Sequence, residues 1–138
     1  MASTLNPYLN FRDRTREAMT FYQQVFGGEL SLNTYADFGM SDDPVERDKI
    51  MHAQLTTPMG FVLMGADVPN AMPLPEGGSV SISLSGRDTD ELTAYWEALS
   101  ASGTVREPLT AAPWGDSFGE CTDRFGIMWL VNIAGPDA

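Results

Sequence analysis

One cysteine, one histidine and only eight lysines and arginines are spread over this 138-residue chain. Each scarcity excludes something. Cys121 has no partner for an internal disulfide, and no cysteine pair exists to hold structural zinc. His52 stands alone, so no pair of histidines can bind a metal. Eight basic residues against nineteen acidic ones leave a net charge of -11, which repels phosphate backbones and anionic lipid surfaces. Neither nucleic acid nor membrane is therefore an expected partner. Long apolar runs are missing too. The longest, around Phe61–Met64 and Ile127–Val131, are far too short to cross a bilayer. The opening MASTLNPYLNFRDR lacks the basic segment and apolar run of a signal peptide, and a cytoplasmic location is expected. There is no P-loop, no dinucleotide-binding glycine fingerprint and no H-E-x-x-H, so no nucleotide, methyl-donor or other cofactor is expected. What remains is 15.1 kDa of chain, 43% hydrophobic and 20% charged, enough for one self-sufficient core.

The apolar pattern repeats. Between Asp13 and Phe26, residues Ala18, Phe21, Tyr22, Val25 and Phe26 recur at the spacing of one helix face, and Gly27-Gly28 ends the run. Leu92, Tyr95, Trp96 and Leu99 repeat that spacing between Asp88 and Ser102. Asp88 with Glu91 forms a capping signal, and Gly103 closes the segment. A shift of 74 positions carries Ala18, Phe21, Tyr22 and Val25 onto these four residues. An alternating segment precedes each helix, LNPYLNF and SVSISLS, and short strand candidates follow it. A shift of 66 aligns Gly60-Phe61-Val62-Leu63-Met64 with Gly126-Ile127-Met128-Trp129-Leu130, His52 with Phe118 and Gln54 with Glu120. The economical reading is α+β, with tandem β-α-β-β-β modules over about residues 3–68 and 79–134. The acidic stretch Ala36–Lys49 reads as a solvated lid. Pro69–Gly78, with Pro73, Pro75 and Gly77, reads as the connection between modules.

NPYLNF, FYQQVFGGEL, IMHAQL and WGDSFGECTDRFGIMW together run nearly end to end. With the tandem repeat, they make the chain resemble the vicinal oxygen chelate superfamily of glyoxalases, dioxygenases and bleomycin-resistance proteins, in its PhnB-like branch. The most specific segment is Trp114-Gly115, Phe118-Gly119 and Asp123-Arg124-Phe125-Gly126. The resemblance implies a glyoxalase-like cup whose polar strand faces line a cavity, and a homodimer. It also implies four metal-ligand positions, on the first and last strands of each module. Those positions fall on Asn6, Met64, Ser81 and Leu130, two of which cannot ligate a hard cation. No metal is therefore expected at the family's usual site.

Strict alternation puts His52 and Gln54 on one strand face and Met51, Ala53 and Leu55 on the other. Within the resemblance, the polar pair faces the cavity with Glu120 across from it. His52 is the one side chain whose ordinary pKa suits proton transfer near neutrality, so it is the catalytic candidate if there is one. Tyr8, Trp114 and Phe118 read either as aromatic walls for a flat or cationic ligand or as closures of the core. Cys121 falls on the face opposite Glu120 and reads as an inert buried thiol. The leading expectation is a metal-independent protein binding a small organic ligand through Asn6, Tyr8, His52, Gln54, Met64, Ser81, Trp114, Phe118 and Glu120. Two alternatives stand beside it. One is a divalent-metal lyase or dioxygenase recruiting His52, Gln54 and Glu120, and the other a metal-free enzyme with His52 as general base.

Overall fold

The computed structural model describes residues 3–74 and 78–135, so Pro75 and Gly77 of the expected connection lie outside the described residues. The chain divides into two compact units, one ending at Glu76 and the other beginning at Gly77. In the first unit β1 (Tyr8–Phe11), α1 (Thr15–Phe26), β2 (Glu29–Thr34), β3 (Ile50–Thr56) and β4 (Val62–Asp67) follow one another. The second unit repeats the order with β5 (Ile82–Gly86), α2 (Thr89–Ser100), β6 (Thr104–Ala111), β7 (Ser117–Thr122) and β8 (Met128–Ile133). The strands form two four-stranded mixed sheets, ordered β1-β4-β3-β2 and β5-β8-β7-β6. The one parallel pair in each is first strand on last, β1 with β4 and β5 with β8.

The 66-position shift is a shift in structure. Thr57 N–H donates to the Phe61 carbonyl at 3.0 Å, and Asp123 N–H donates to the Ile127 carbonyl at 2.9 Å. The two turns close with Gly60 at φ 89° and Gly126 at φ 91°, a conformation that favours glycine. The Thr57 hydroxyl accepts from Phe61 N, and an Asp123 carboxylate oxygen takes the matching bond from Ile127 N.

Helix α2 matches its sequence signal. Leu92, Tyr95, Trp96 and Leu99 are buried, and the Asp88 carboxylate accepts from Glu91 N–H at 3.1 Å. Gly103, however, is in no left-handed conformation. A Cβ there would strike the Thr122 carbonyl, just as one on Gly28 would strike that of Thr56. Close chain approach alone requires Gly103, whereas Gly28 is required both by close approach and by its φ of 99°.

Helix α1 departs from expectation in two ways. Its buried stripe is Thr15, Ala18, Met19, Tyr22 and Phe26, which leaves Phe21 and Val25 half-buried on its flank. It also starts two residues later than Asp13, and the side chain of its N-cap residue, Arg14, does not cap it. The cap comes from β4. Asp67 Oδ1 accepts from Thr15 N–H at 3.0 Å and from the Thr15 hydroxyl at 2.7 Å, while Oδ2 accepts from Ile50 N–H at 2.9 Å. A buried carboxylate with three donors thus joins α1, β3 and β4.

The stretch 36–49 is more than a solvated lid. The Lys49 side chain, 9% exposed, places its ammonium 2.9 Å from Asp13 and 3.3 Å from Glu46. It also donates to Asn70 at 2.7 Å. The bond to Asp13 is the main reason the Lys49 pKa lies above its ordinary value. The start of the connecting segment is tied down as well. Arg12 donates to the carbonyls of Val68, Pro69 and Met72 at 3.1, 2.7 and 2.6 Å. Among the described residues no helix is long and apolar enough to cross a membrane.

Candidate functional site

The alternation expected of β3 holds from Ala53 onward, whereas Met51, expected on the apolar face, is only half-buried and Ile50 is buried instead, next to the register shift at Asn33/Thr34. Ala53 and Leu55 are fully buried, whereas His52 and Gln54 keep partial exposure on the other face. Register then sets their neighbours. Ser31, Gln54, Met64 and Tyr8 form one row across β2, β3, β4 and β1. Asn33 lies opposite His52, and the Tyr8 ring sits 6.2 Å from the imidazole at a tilt of 37°. Glu29, Leu30, Ser31, His52, Gln54 and Thr56 line a hollow of about 350 Å³ on this unit. Gln54 Nε2 donates to the Thr56 hydroxyl at 3.3 Å along its rim.

The matching row of the second unit is Glu107, Glu120, Leu130 and Ser83. Glu120 leans toward Arg106, whose Nη1 is 3.5 Å away. Next to that row Phe118 pairs with Asn132, and its ring lies 6.1 Å from that of Trp114 at 62°. Trp114, 64% exposed, sits in a turn in which Ala112 N–H donates to the Asp116 carbonyl at 2.7 Å. Asp116 holds that turn in place, accepting from Asn132 Nδ2 at 3.0 Å and Gly135 N–H at 2.9 Å. The Asn132 bond first, and the Gly135 bond after it, keep its carboxyl below the ordinary carboxylate range.

Two expected site residues are displaced. Asn6 precedes β1, where its amide donates to Thr4 at 2.9 Å, and Ser81 precedes β5. The register puts Tyr8 opposite Met64 and Ser83 opposite Leu130, so the opening-strand positions move by two residues in both units. A phenol, a thioether, a hydroxyl and a hydrocarbon occupy the four positions. That donor set does not fit a hard divalent cation. Among the described residues, no group of three or more His, Cys, Asp and Glu is gathered where it could hold a metal ion. His52 and Gln54 belong to the first unit and Glu120 to the second. Cys121 is buried, and its thiol is pushed up to about 11, by burial first and then by Asp123 and Glu120.

The β2 contribution, Glu29, Ser31 and Asn33, went unread in the sequence, although these residues alternate with Leu30 and Leu32 in GELSLNT. Asp116 and Asn132 were missed as well. Their pairing spans 16 positions and leaves no local pattern.

Two modules of this topology, with site residues on the polar sheet faces, define a glyoxalase-like fold. The chain belongs to the Glyoxalase/Bleomycin resistance protein/Dioxygenase superfamily, whose family model matches residues 4–131. Within it the likeness runs to the PhnB-like branch. Protein PA1353 of Pseudomonas aeruginosa is 38% identical with a TM-score of 0.82, over 97% of this chain and 99% of that one. A PhnB protein from Bacillus cereus shares the fold at a TM-score of 0.77 and 22% identity, over 96% of this chain and 100% of that one. Protein YjdN of Escherichia coli K12 is 24% identical over 140 residues, 94% of each chain.

Proposed function

We propose that this chain is a metal-independent binding protein for a small organic molecule, acting as a cytoplasmic homodimer. One observation carries the reading. The positions where relatives of this fold are expected to place metal ligands hold Met64 in the first unit and Leu130 in the second, while Tyr8, His52 and Gln54 keep a polar, partly open face beside a hollow of about 350 Å³ on the first unit. That volume lies at the lower end of ordinary ligand pockets, about 300–1,000 Å³. Tyr8, His52, Gln54 and Met64 form the contact set on the first unit, and Trp114, Phe118 and Glu120 form that on the second. Asn6 and Ser81 drop out with the register.

The test is a thermal-shift screen of small organic molecules, with and without chelator. Hits are then titrated against His52→Ala and Gln54→Ala, and sedimentation reports the assembly state. Chelator-insensitive binding, weakened about tenfold or more by either substitution, supports the reading. Stoichiometric divalent metal in the purified protein, with binding abolished on its removal, overturns it. Monomeric behaviour at micromolar concentration overturns the homodimer.

A further inference from the structure

Trp114 is held in an unusual manner for an exposed indole. Large apolar side chains left in water gain nothing from burial, and mobile turns display them at no cost in order. Here the turn is fixed on both sides. Ala112 N–H bonds to the Asp116 carbonyl, and the Asp116 carboxylate reaches Asn132 on β8 and the Gly135 amide. Phe118, the cross-strand partner of Asn132, completes an open corner with Trp114, the rings 6.1 Å apart at 62°. The rings meet edge to face, and the largely exposed indole keeps ring surface, with the negative side of its quadrupole, available to a cation.

Two carboxylates stand on either side of Phe118 along the chain. Asp116 lies two residues before Phe118 and is held in its ionised form by its donors. Glu120 lies two residues after it on the same strand face. Glu120 is held loosely, since its contact with Arg106 is 3.5 Å long and the arginine side chain is 70% exposed. Such a solvated pair contributes little and exchanges readily. A neutral flat ligand would use the rings and leave the carboxylates idle, and an anionic one would be repelled by both.

We infer that the Trp114–Phe118 corner, flanked by Asp116 and Glu120, is a binding site for an organic ammonium group. This deepens the binding function proposed above by giving a ligand class to the second unit, and it depends on no residue of the first. A quaternary or alkylated ammonium fits best. Its methyl groups meet the ring faces, and its diffuse charge loses little hydration compared with a primary amine.

The indole N–H signal of Trp114 in a nitrogen–proton correlation spectrum reads the site directly, because Trp96 and Trp129 are buried and serve as internal controls. Choline and benzyltrimethylammonium are titrated beside 3,3-dimethylbutan-1-ol, the neutral isostere of choline. The expected result is a saturable shift of the Trp114 signal with both ammonium compounds, with the neutral alcohol about tenfold weaker or more. Calorimetry with choline should show Trp114→Leu losing about tenfold or more in affinity, Trp114→Phe retaining most of it, and Glu120→Gln losing severalfold. Trp114 is exposed, so these variants are expected to melt with the parent protein. Equal binding of the alcohol, an unsaturated response up to about 100 mM choline, or unchanged affinity in Trp114→Leu overturns the inference. The same titrations repeated on His52→Ala separate the two proposals. Loss of a screened ligand there with choline binding intact concerns the first unit alone.

Discussion

The indole N–H of Trp129 donates to Oδ2 of Asp123 at 2.9 Å, while Oδ1 of the same carboxylate accepts from Phe125 N–H at 2.8 Å and Ile127 N–H at 3.1 Å. Both residues are buried, so the β7–β8 turn is closed from within by one charged side chain. In the first unit Thr57 occupies this position and a hydroxyl suffices, because the residue matching Trp129 is Leu63 and makes no such demand.

Removing that carboxylate strands three donors, of which those of Phe125 and Trp129 are buried and that of Ile127 partly so. Asp123→Ala is expected to destabilise the protein by about 3 kcal/mol or more, and Trp129→Phe by about 1–3 kcal/mol. Urea unfolding measures both. The double variant should cost less than the sum, since the two residues share a bond.

Asp67 makes the corresponding prediction for the first unit. Asp67→Asn keeps the shape but turns an amide N–H₂ toward an N–H donor, from Thr15 or from Ile50. A loss of about 1–3 kcal/mol is expected. Amide exchange should quicken first in the opening turn of α1, at Thr15 to Ala18, because the Asp67 carboxylate caps that turn where the Arg14 side chain does not.

Gly119 lies beneath the Trp96 ring. A Cβ there would come within 2.9 Å of two ring carbons and 3.0 Å of the Leu109 Cα. Gly119→Ala is expected to cost about 1–3 kcal/mol. In a Trp96→Phe background the penalty should shrink, because the smaller ring withdraws one of the two obstacles. Equal penalties in the two backgrounds would refute the steric account.

The Cys121 thiol titrates near 11 in the fold against an ordinary 9.0. The folded chain therefore holds that proton longer than the unfolded one, and stability falls as pH rises from 9.0 toward about 11. Cys121→Ala should flatten this part of the stability profile. At pH 8 a disulfide reagent should modify the native protein far more slowly than the urea-unfolded protein.

Asp116 carries the opposite sign. Its folded pKa lies below the ordinary 3.8, so its contribution is present above that value and is lost as pH falls through the folded one. Asp116→Asn should remove part of the acid sensitivity. It should also loosen the turn at Trp114, read as faster amide exchange at Gly115 and Gly135.

Much of the fold was legible because its signals are local. Helix α2 carries its own cap in Asp88 and its own stripe in Leu92, Tyr95, Trp96 and Leu99. The repeat shift of 66 positions matched two turns with the same backbone bond, and alternation gave the polar face of β3. In α1 the same kind of reading failed. The sequence offers an apolar set wide enough for two neighbouring stripes, and packing on the sheet chose Met19 over Phe21.

By itself, then, the sequence determined what depends on spacing: the number and order of elements, the duplication, and the pairing of His52 with Gln54 on one face, while the resemblance drew attention to Met64 and Leu130. Only the tertiary structure decided what depends on register and on distant partners. Tyr8 and Ser83, rather than Asn6 and Ser81, stand opposite those two residues because strand pairing, not alternation, fixes which residues meet. Asp67 caps a helix that begins 52 positions earlier, and Asp116 fixes an exposed tryptophan through a residue 16 positions later. A lone aspartate at a strand end has no periodicity to betray it. Its role exists only once folding has buried it among donors that nothing else can satisfy.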